Sequence, residues 1–353
     1  MKLGLGLYRH QLDLAHYQFA KQCGCTHLVI HLVDYFRSAH NNRSDQPVGD
    51  HSGWGLAGDP DRPWTYEELA AIKGEINKAG LELEAIENFD PAHWHDVLLE
   101  GPKKAAQLEN VKSMIRAAGR AGIPTIGYNF SLAGVAGRIK GPFARGGAEA
   151  VGMNGPCDIP IPNGSVWNMT YETAPTHGTV PSATNEQLWQ RLKDFLDAVL
   201  PVAEEAGVRL AAHPDDPPLP VVRGQPRLVY QPALYQKLLD LHPSPSNMLE
   251  FCVGTLAEMA NGNVYDATEA YSRQHKLAYI HLRNVRGKAP FYKETFIDEG
   301  DVDVLRILKI LKHNRYNGLI IPDHAPQMQC AAPWHAGMAF AIGYLRAALQ
   351  SMN

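Results

Sequence analysis

Short apolar runs alternate along the whole chain with longer segments in which apolar positions recur at helical spacing. The short runs predict strands over Leu3–Tyr8, His27–Leu32, Leu81–Glu87, Thr125–Asn129, Val208–His213, Met248–Cys252, Leu277–Leu282 and Gly318–Asp323. The amphipathic segments predict helices over Leu12–Gln22, Tyr66–Ala79, Pro102–Ala121, Asn185–Ala206, Pro232–Leu241, Gly254–His275, Val302–Asn314 and Gly337–Ser351. Strand and helix thus alternate eight times. That pattern predicts an α/β chain and favours a closed (β/α)8 TIM barrel over its rival, a doubly wound open sheet.

Several joints from helix to strand repeat one device, a small residue followed by glycine: Ala79-Gly80, Ala121-Gly122, Ala206-Gly207 and Asn317-Gly318. Glycine takes the left-handed conformation that ends a helix at little cost, so each joint predicts a helix stop. The connections that follow strands are longer. Residues 33–64, 130–184, 214–230 and 283–300 predict long loops after strands 2, 4, 5 and 7, on the barrel face where such folds carry their chemistry. Residues 1–353 read as one barrel domain, with a Gly-, Pro-, Asn- and Thr-rich insertion at 131–183 as a lid, a subunit contact or a plain surface excursion.

Composition narrows the partners. The chain has 353 residues, 45% hydrophobic and 20% charged, enough to bury a large core, and a formal charge of −4 without a basic tract argues against nucleic acid. Five cysteines, an odd number in a chain of this length, fit a reducing cytoplasm better than a disulfide framework. The start, MKLGLGLYRHQLD, reads as neither signal peptide nor membrane span. A small-molecule substrate, no membrane and a chain compatible with a homo-oligomer are the expectations.

Four metal-binding residue types end four consecutive predicted strands: His213, Cys252, His281 and Asp323. Each alone has an ordinary structural use, as a strand-end histidine, a small buried hydrophobe or a cap. Together, one β/α unit apart, they converge when a barrel closes. Imidazole, thiolate and carboxylate suit Mn, Fe, Co or Zn and leave coordination positions for substrate. Asp215 and Asp216 follow the first of them, as acid and base or as an Asx-Pro turn. Arg283 and Asn284 follow His281, placed for a carboxylate or hydroxyl or for a structural ion pair. His324 is a candidate proton carrier, while Glu87 and Asn129 end the third and fourth strands and face the same mouth.

LELEAIENF at 81–89, ENVKSMIRAAGRAGIPTIGYNF at 109–130, AAHPDDPP at 211–218, CVGT at 252–255, HLRNV at 281–285 and PDH at 322–324 resemble the mannonate dehydratase family of the xylose-isomerase-like barrels. The resemblance spans most of the chain after about residue 65. It implies a Mn2+-dependent hydro-lyase, with Fe2+, Co2+ or Zn2+ as substitutes, that converts D-mannonate to 2-keto-3-deoxy-D-gluconate and water. Residue by residue, His213, Cys252, His281 and Asp323 match the family's metal ligands, and Arg138 matches an arginine of the loop after the fourth strand.

The departures cluster around the substrate. The first strand reads GLYRHQ in place of an Arg-Trp-Tyr-Gly-like segment, SLAGVAGR lacks an Asp-Trp pair, and Ala325-Pro326 follow PDH. PWHAGMAF replaces the family's tyrosine-bearing segment, leaving His335 and Tyr8 as candidate substitutes for its acid/base. Two other functions stay open at this level: a sugar or sugar-acid isomerase or epimerase using the same metal-assisted deprotonation, and a non-catalytic binding descendant.

Overall fold

The computed structural model describes residues 1–37, 54–174 and 176–352. Eight parallel strands close into a barrel: β1 (Lys2–Leu7), β2 (His27–Ile30), β3 (Glu82–Glu87), β4 (Thr125–Tyr128), β5 (Arg209–Ala212), β6 (Asn247–Cys252), β7 (Leu277–His281) and β8 (Leu319–Ile321). Each pairs with its neighbours in sequence and β8 returns to β1, through Lys2↔Leu319 and Leu3↔Ile320. The helices packed around them are α1 (Leu14–Gln22), α2 (Tyr66–Lys78), α3 (Lys104–Arg120), α4 (Asn185–Ala206), α5 (Leu234–Leu241), α6 (Val264–Arg273), α7 (Val304–His313) and α8 (Pro333–Ser351). The predicted TIM barrel is therefore the fold. Among the described residues no helix is long and apolar enough to cross a membrane.

Alternation along each strand divides its side chains between two cores. Leu3, Leu5 and Leu7 of β1 join the large cluster shared with the helices, whereas Val29, Ala85, Ala211, Tyr279 and Ile321 pack together in the barrel interior. These inward residues stand two positions before His31, Glu87, His213, His281 and Asp323, so the same strand face leads to the mouth. Small residues make room inside: a Cβ at Gly127 would run into the Glu250 carboxylate and Tyr279 Oη.

Two expectations change. The helix predicted over Gly254–His275 is two helices, Val253–Glu258 and α6, because Gly262 takes a positive φ and Asn263 caps α6 by accepting from the Tyr265 and Asp266 amides. Gly80, Gly122 and Gly207 do adopt the left-handed conformation at their joints. At the joint before β8, however, Arg315 takes it and Gly318 does not. Residues 38–53 of the loop predicted after the second strand lie outside the described residues.

The insertion after β4 is not a featureless loop. Its strands Arg138–Ala144 and Ala148–Asn154 join Asn284–Lys288 and Phe291–Thr295, from the loop after β7, in a four-stranded antiparallel sheet. This outer sheet buries one face toward the barrel mouth, including Arg138, Tyr292 and Glu294. Gly127→Ala should lower stability by about 1–3 kcal/mol through overpacking of the barrel interior, measured by chemical denaturation; wild-type stability would contradict the interior packing described.

Candidate metal centre

Every barrel strand delivers a polar or metal-binding residue at or just beyond its C-terminal end: Tyr8, His31, Glu87, Asn129, His213, Cys252, His281 and Asp323. All but Cys252 line one cavity, together with Tyr35, Trp54, Asn88, Val135, Arg138, Trp167, Asp216 and His324. His213, Cys252 and His281 bring their donor atoms within 4.8 Å of one another. Asp323 adjoins them, with Oδ2 3.7 Å from Cys252 Sγ and Oδ1 3.7 Å from His281 Nδ1. The four strand-end residues expected from the sequence thus meet.

The rings are presented differently. His213 Nδ1 lies 2.6 Å from the Pro214 carbonyl, which leaves Nε2 as its available donor. His281 Nε2 faces inward, 3.3 Å from Glu87 Oε2 and 3.4 Å from Glu250 Oε1, without an aligned hydrogen bond to either. Both nitrogens of His281 and both oxygens of Glu250 are buried and unpartnered among the described residues. Such groups are costly unless something compensates them.

The charges show the same demand. Burial alone would push the Cys252 thiol up, but Arg283 and the neighbouring His213 and His281 rings, against the opposing charge of Asp323, bring it down to about 5. Burial would lower His213, yet its contact with Cys252 and the charge of Glu250 lift it to about 9. His281 is lifted well above the imidazole range against burial, chiefly by Glu87 and Asp323. Asp323 is held well below the carboxylate range, burial being outweighed by His324, His281 and Arg283. A pocket that gathers protons on imidazoles beside a thiolate and a carboxylate is one whose field favours a cation. The N, N, S, O donor set fits a transition metal.

Beside this group lies an ionic cluster centred on Arg283, which is buried. Its Nε donates to Asp323 Oδ2 at 2.9 Å, Nη2 donates to Asp216 Oδ2 at 2.8 Å and Thr255 Oγ1 at 3.0 Å, and Nη1 meets Glu258 and, at 3.2 Å, Glu294. Burial, against the pull of Arg283, and the nearby Asp216 and Glu294 push the Glu258 carboxyl well above the usual range. Asp216 also accepts from Arg138 Nη2 at 2.7 Å, and despite burial the two arginines keep its carboxyl well below that range.

The other residues singled out from the sequence separate. Asp215 does not line the cavity: it accepts from Arg227 Nε and from the Leu228 and Val229 amides, each at 2.7 Å, which fixes the loop after β5. Asn284 is also turned away from it. Its amide donates to the Ile297 and Val302 carbonyls, because strand alternation points it opposite to Arg283. His335, on α8, packs against Phe19, Trp334 and His16 outside the cavity. Arg283 has the expected ion pairs, but they occupy its guanidinium fully. His324 lines the cavity and places Nδ1 3.0 Å from Glu294 Oε1 and Nε2 3.2 Å from Asp323 Oδ1. Asn129 Oδ1 and Arg138 Nε are buried without partners among the described residues. Sequence reasoning passed over His31, Glu250, Glu258 and Glu294; the strand-end rule alone would have found His31.

Two outcomes follow. Asp215→Ala should cost about 3–5 kcal/mol, since it strands the fully buried Arg227 guanidinium; a denaturation midpoint equal to wild type would refute that role. In metal-free protein, the ultraviolet thiolate absorbance lost in Cys252→Ser should persist as pH falls until about 5, where the thiolate takes up its proton. A midpoint near that of a free cysteine would contradict the electrostatics.

Comparison with known proteins bears on the fold and the family. The family model described as D-mannonate dehydratase (UxuA) matches residues 28–137 and 177–351, omitting the outer-sheet strands of the insertion. Mannonate dehydratase of Streptococcus suis (strain 05ZYH33) is 30% identical over 277 residues, 74% of each chain. Mannonate dehydratase 2 of Halalkalibacterium halodurans is 29% identical over 279 residues, covering 74% of this chain and 79% of its own. The crystal structure of mannonate dehydratase from Streptococcus suis serotype 2 superposes with a TM-score of 0.75 at 26% identity, over 99% of this chain and 94% of that one. An E. coli 3-keto-D-glucoside 4-epimerase, with a TM-score of 0.58 at 12% identity over 98% and 99%, shares the fold. The family model spans most of the chain and the relatives are matched over most of their own length, so this protein belongs to the D-mannonate dehydratase family.

Proposed function

We propose that the chain dehydrates D-mannonate to 2-keto-3-deoxy-D-gluconate, using Mn2+ held by His213, Cys252, His281 and Asp323. The observation that carries this reading is the convergence of those four donors at the wall of the cavity that His324 and Arg138 also line, in a chain of this family. When bound, a divalent ion there supplies Lewis acidity toward the carboxylate and 2-hydroxyl of an aldonate, which makes the C2 proton more acidic.

The chain's own side chains divide the remaining work. Arg138 is anchored on Asp216 through Nη2, and its unpartnered Nε is available to a carboxylate or hydroxyl. Asn129 offers a buried acceptor to a sugar hydroxyl. Glu294 fixes the Nδ1 side of His324, which leaves Nε2 beside Asp323 to remove the C2 proton. Asp216, clamped by two arginines, serves as a fixed anion rather than a base. Tyr8, stacked 4.8 Å from His31 at the cavity wall, takes the place proposed for the proton donor to the departing 3-hydroxyl, which His335 does not reach. Loss of the C2 proton and of the 3-hydroxyl as water leaves an enol, which becomes the keto acid.

D-mannonate with Mn2+ should give a 2-keto-3-deoxy acid, and Cys252→Ser or His281→Ala should abolish it. His324→Gln should lower kcat by about 10²–10⁴ while metal binding persists. An isomeric sugar acid without keto-deoxy product, or binding without turnover, would reject the proposal.

A further inference from the structure

Glu250 lies in the barrel interior two residues before Cys252, on the same face of β6, and is fully buried. It is not among the residues that line the cavity. Its surroundings are instead His281 Nε2 at 3.4 Å, the neighbouring Glu87 carboxylate, and Tyr279 and Gly127, whose missing side chain leaves the space that Glu250 fills. Glu87 approaches the same His281 nitrogen from β3 at 3.3 Å and meets His31 Nε2 at 3.6 Å on its other side. The opposite nitrogen of His281 turns up toward Asp323.

Resting on the metal reading above, we propose that Glu250, together with Glu87, is a positioning residue for the metal ligand His281. The two carboxylates act as acceptors below the ring, holding the imidazole proton on Nε2, and so leave the Nδ1 lone pair for the ion. The physical reason is specific to this ring. A neutral imidazole carries one proton, and a ligand nitrogen must be the bare one; a fixed acceptor on the far side decides which nitrogen that is and stops the ring turning. His213 solves the same problem with the Pro214 carbonyl, through Nδ1. Among the described residues no carbonyl accepts from His281, and Glu250 occupies the corresponding place. Partners of this kind change metal affinity by about 10–100-fold when removed.

The test uses the whole chain and Co2+ as probe, read by its thiolate charge-transfer band and by bound cobalt per chain. Wild type should bind one equivalent with a thiolate band. Glu250→Leu, which deletes the acceptor, should weaken Co2+ binding by about 10–100-fold, and Glu250→Gln, which keeps an acceptor oxygen, should recover most of it. The melting of the metal-free variants shows whether each is folded. A folded Glu250→Leu that binds Co2+ as wild type does overturns the inference, as does a wild type holding two equivalents of which Glu250→Leu loses one, since Glu250 would then be a ligand itself. Should the leucine variant not fold, nitrogen NMR of histidine-labelled, zinc-loaded wild type decides: His281 protonated on Nε2 supports the inference, and protonation on Nδ1 overturns it. A wild type without a thiolate band fails at the metal reading, a result distinct from all of these.

Discussion

A single buried guanidinium ties the barrel mouth together. Arg283 reaches Asp323 beyond β8, Asp216 in the loop after β5, Glu258 in the short helix after β6 and Glu294 in the outer-sheet hairpin after β7. A cation taken out of water costs several kcal/mol unless its partners are close and well aligned. Four separate connections are therefore held in one arrangement by the need to satisfy it. The strand ends that carry His213, Cys252, His281 and Asp323 inherit that arrangement, and Arg283 is also the main influence that keeps the buried Cys252 sulfur ionised.

The same economy explains the outer sheet. Arg138 begins one of its strands and lines the cavity, while Glu294, in another strand more than a hundred residues away, holds the cavity residue His324. Pairing Tyr292 with Met153, and Met153 with Arg138, sets all three in one row across the sheet. The insertion thus acts as a wall that carries charge to the site. The family model omits 138–176, so the insertion's two strands of the wall lie outside the matched family pattern.

Much of this was legible beforehand, for identifiable reasons. Short apolar runs alternating with helical repeats pointed to the barrel, and closure of the barrel made four strand-end ligand types meet. Glu250 carried a signal that was passed over: a carboxylate in NMLEFC, two residues before Cys252, has to point where Cys252 points. Glu258 and Glu294 carried none, because their partners come from other loops and no local pattern announces them. Asn284 and His335 show the opposite error, in which nearness along the chain stood in for orientation. Alternation after His281 turns Asn284 away, and the helix that bears His335 faces it toward Phe19 and Trp334.

The central claim is that one ion sits on the four strand ends rather than deeper in the barrel between Glu87 and Glu250, where a second set of donors also gathers around His281. Anomalous diffraction from crystals of the Mn2+-loaded protein tests it most directly. The account predicts one peak within bonding distance of His213 Nε2, Cys252 Sγ, His281 Nδ1 and an Asp323 oxygen. A peak on the Glu87 and Glu250 carboxylates, with Cys252 left without a ligand bond, would contradict it.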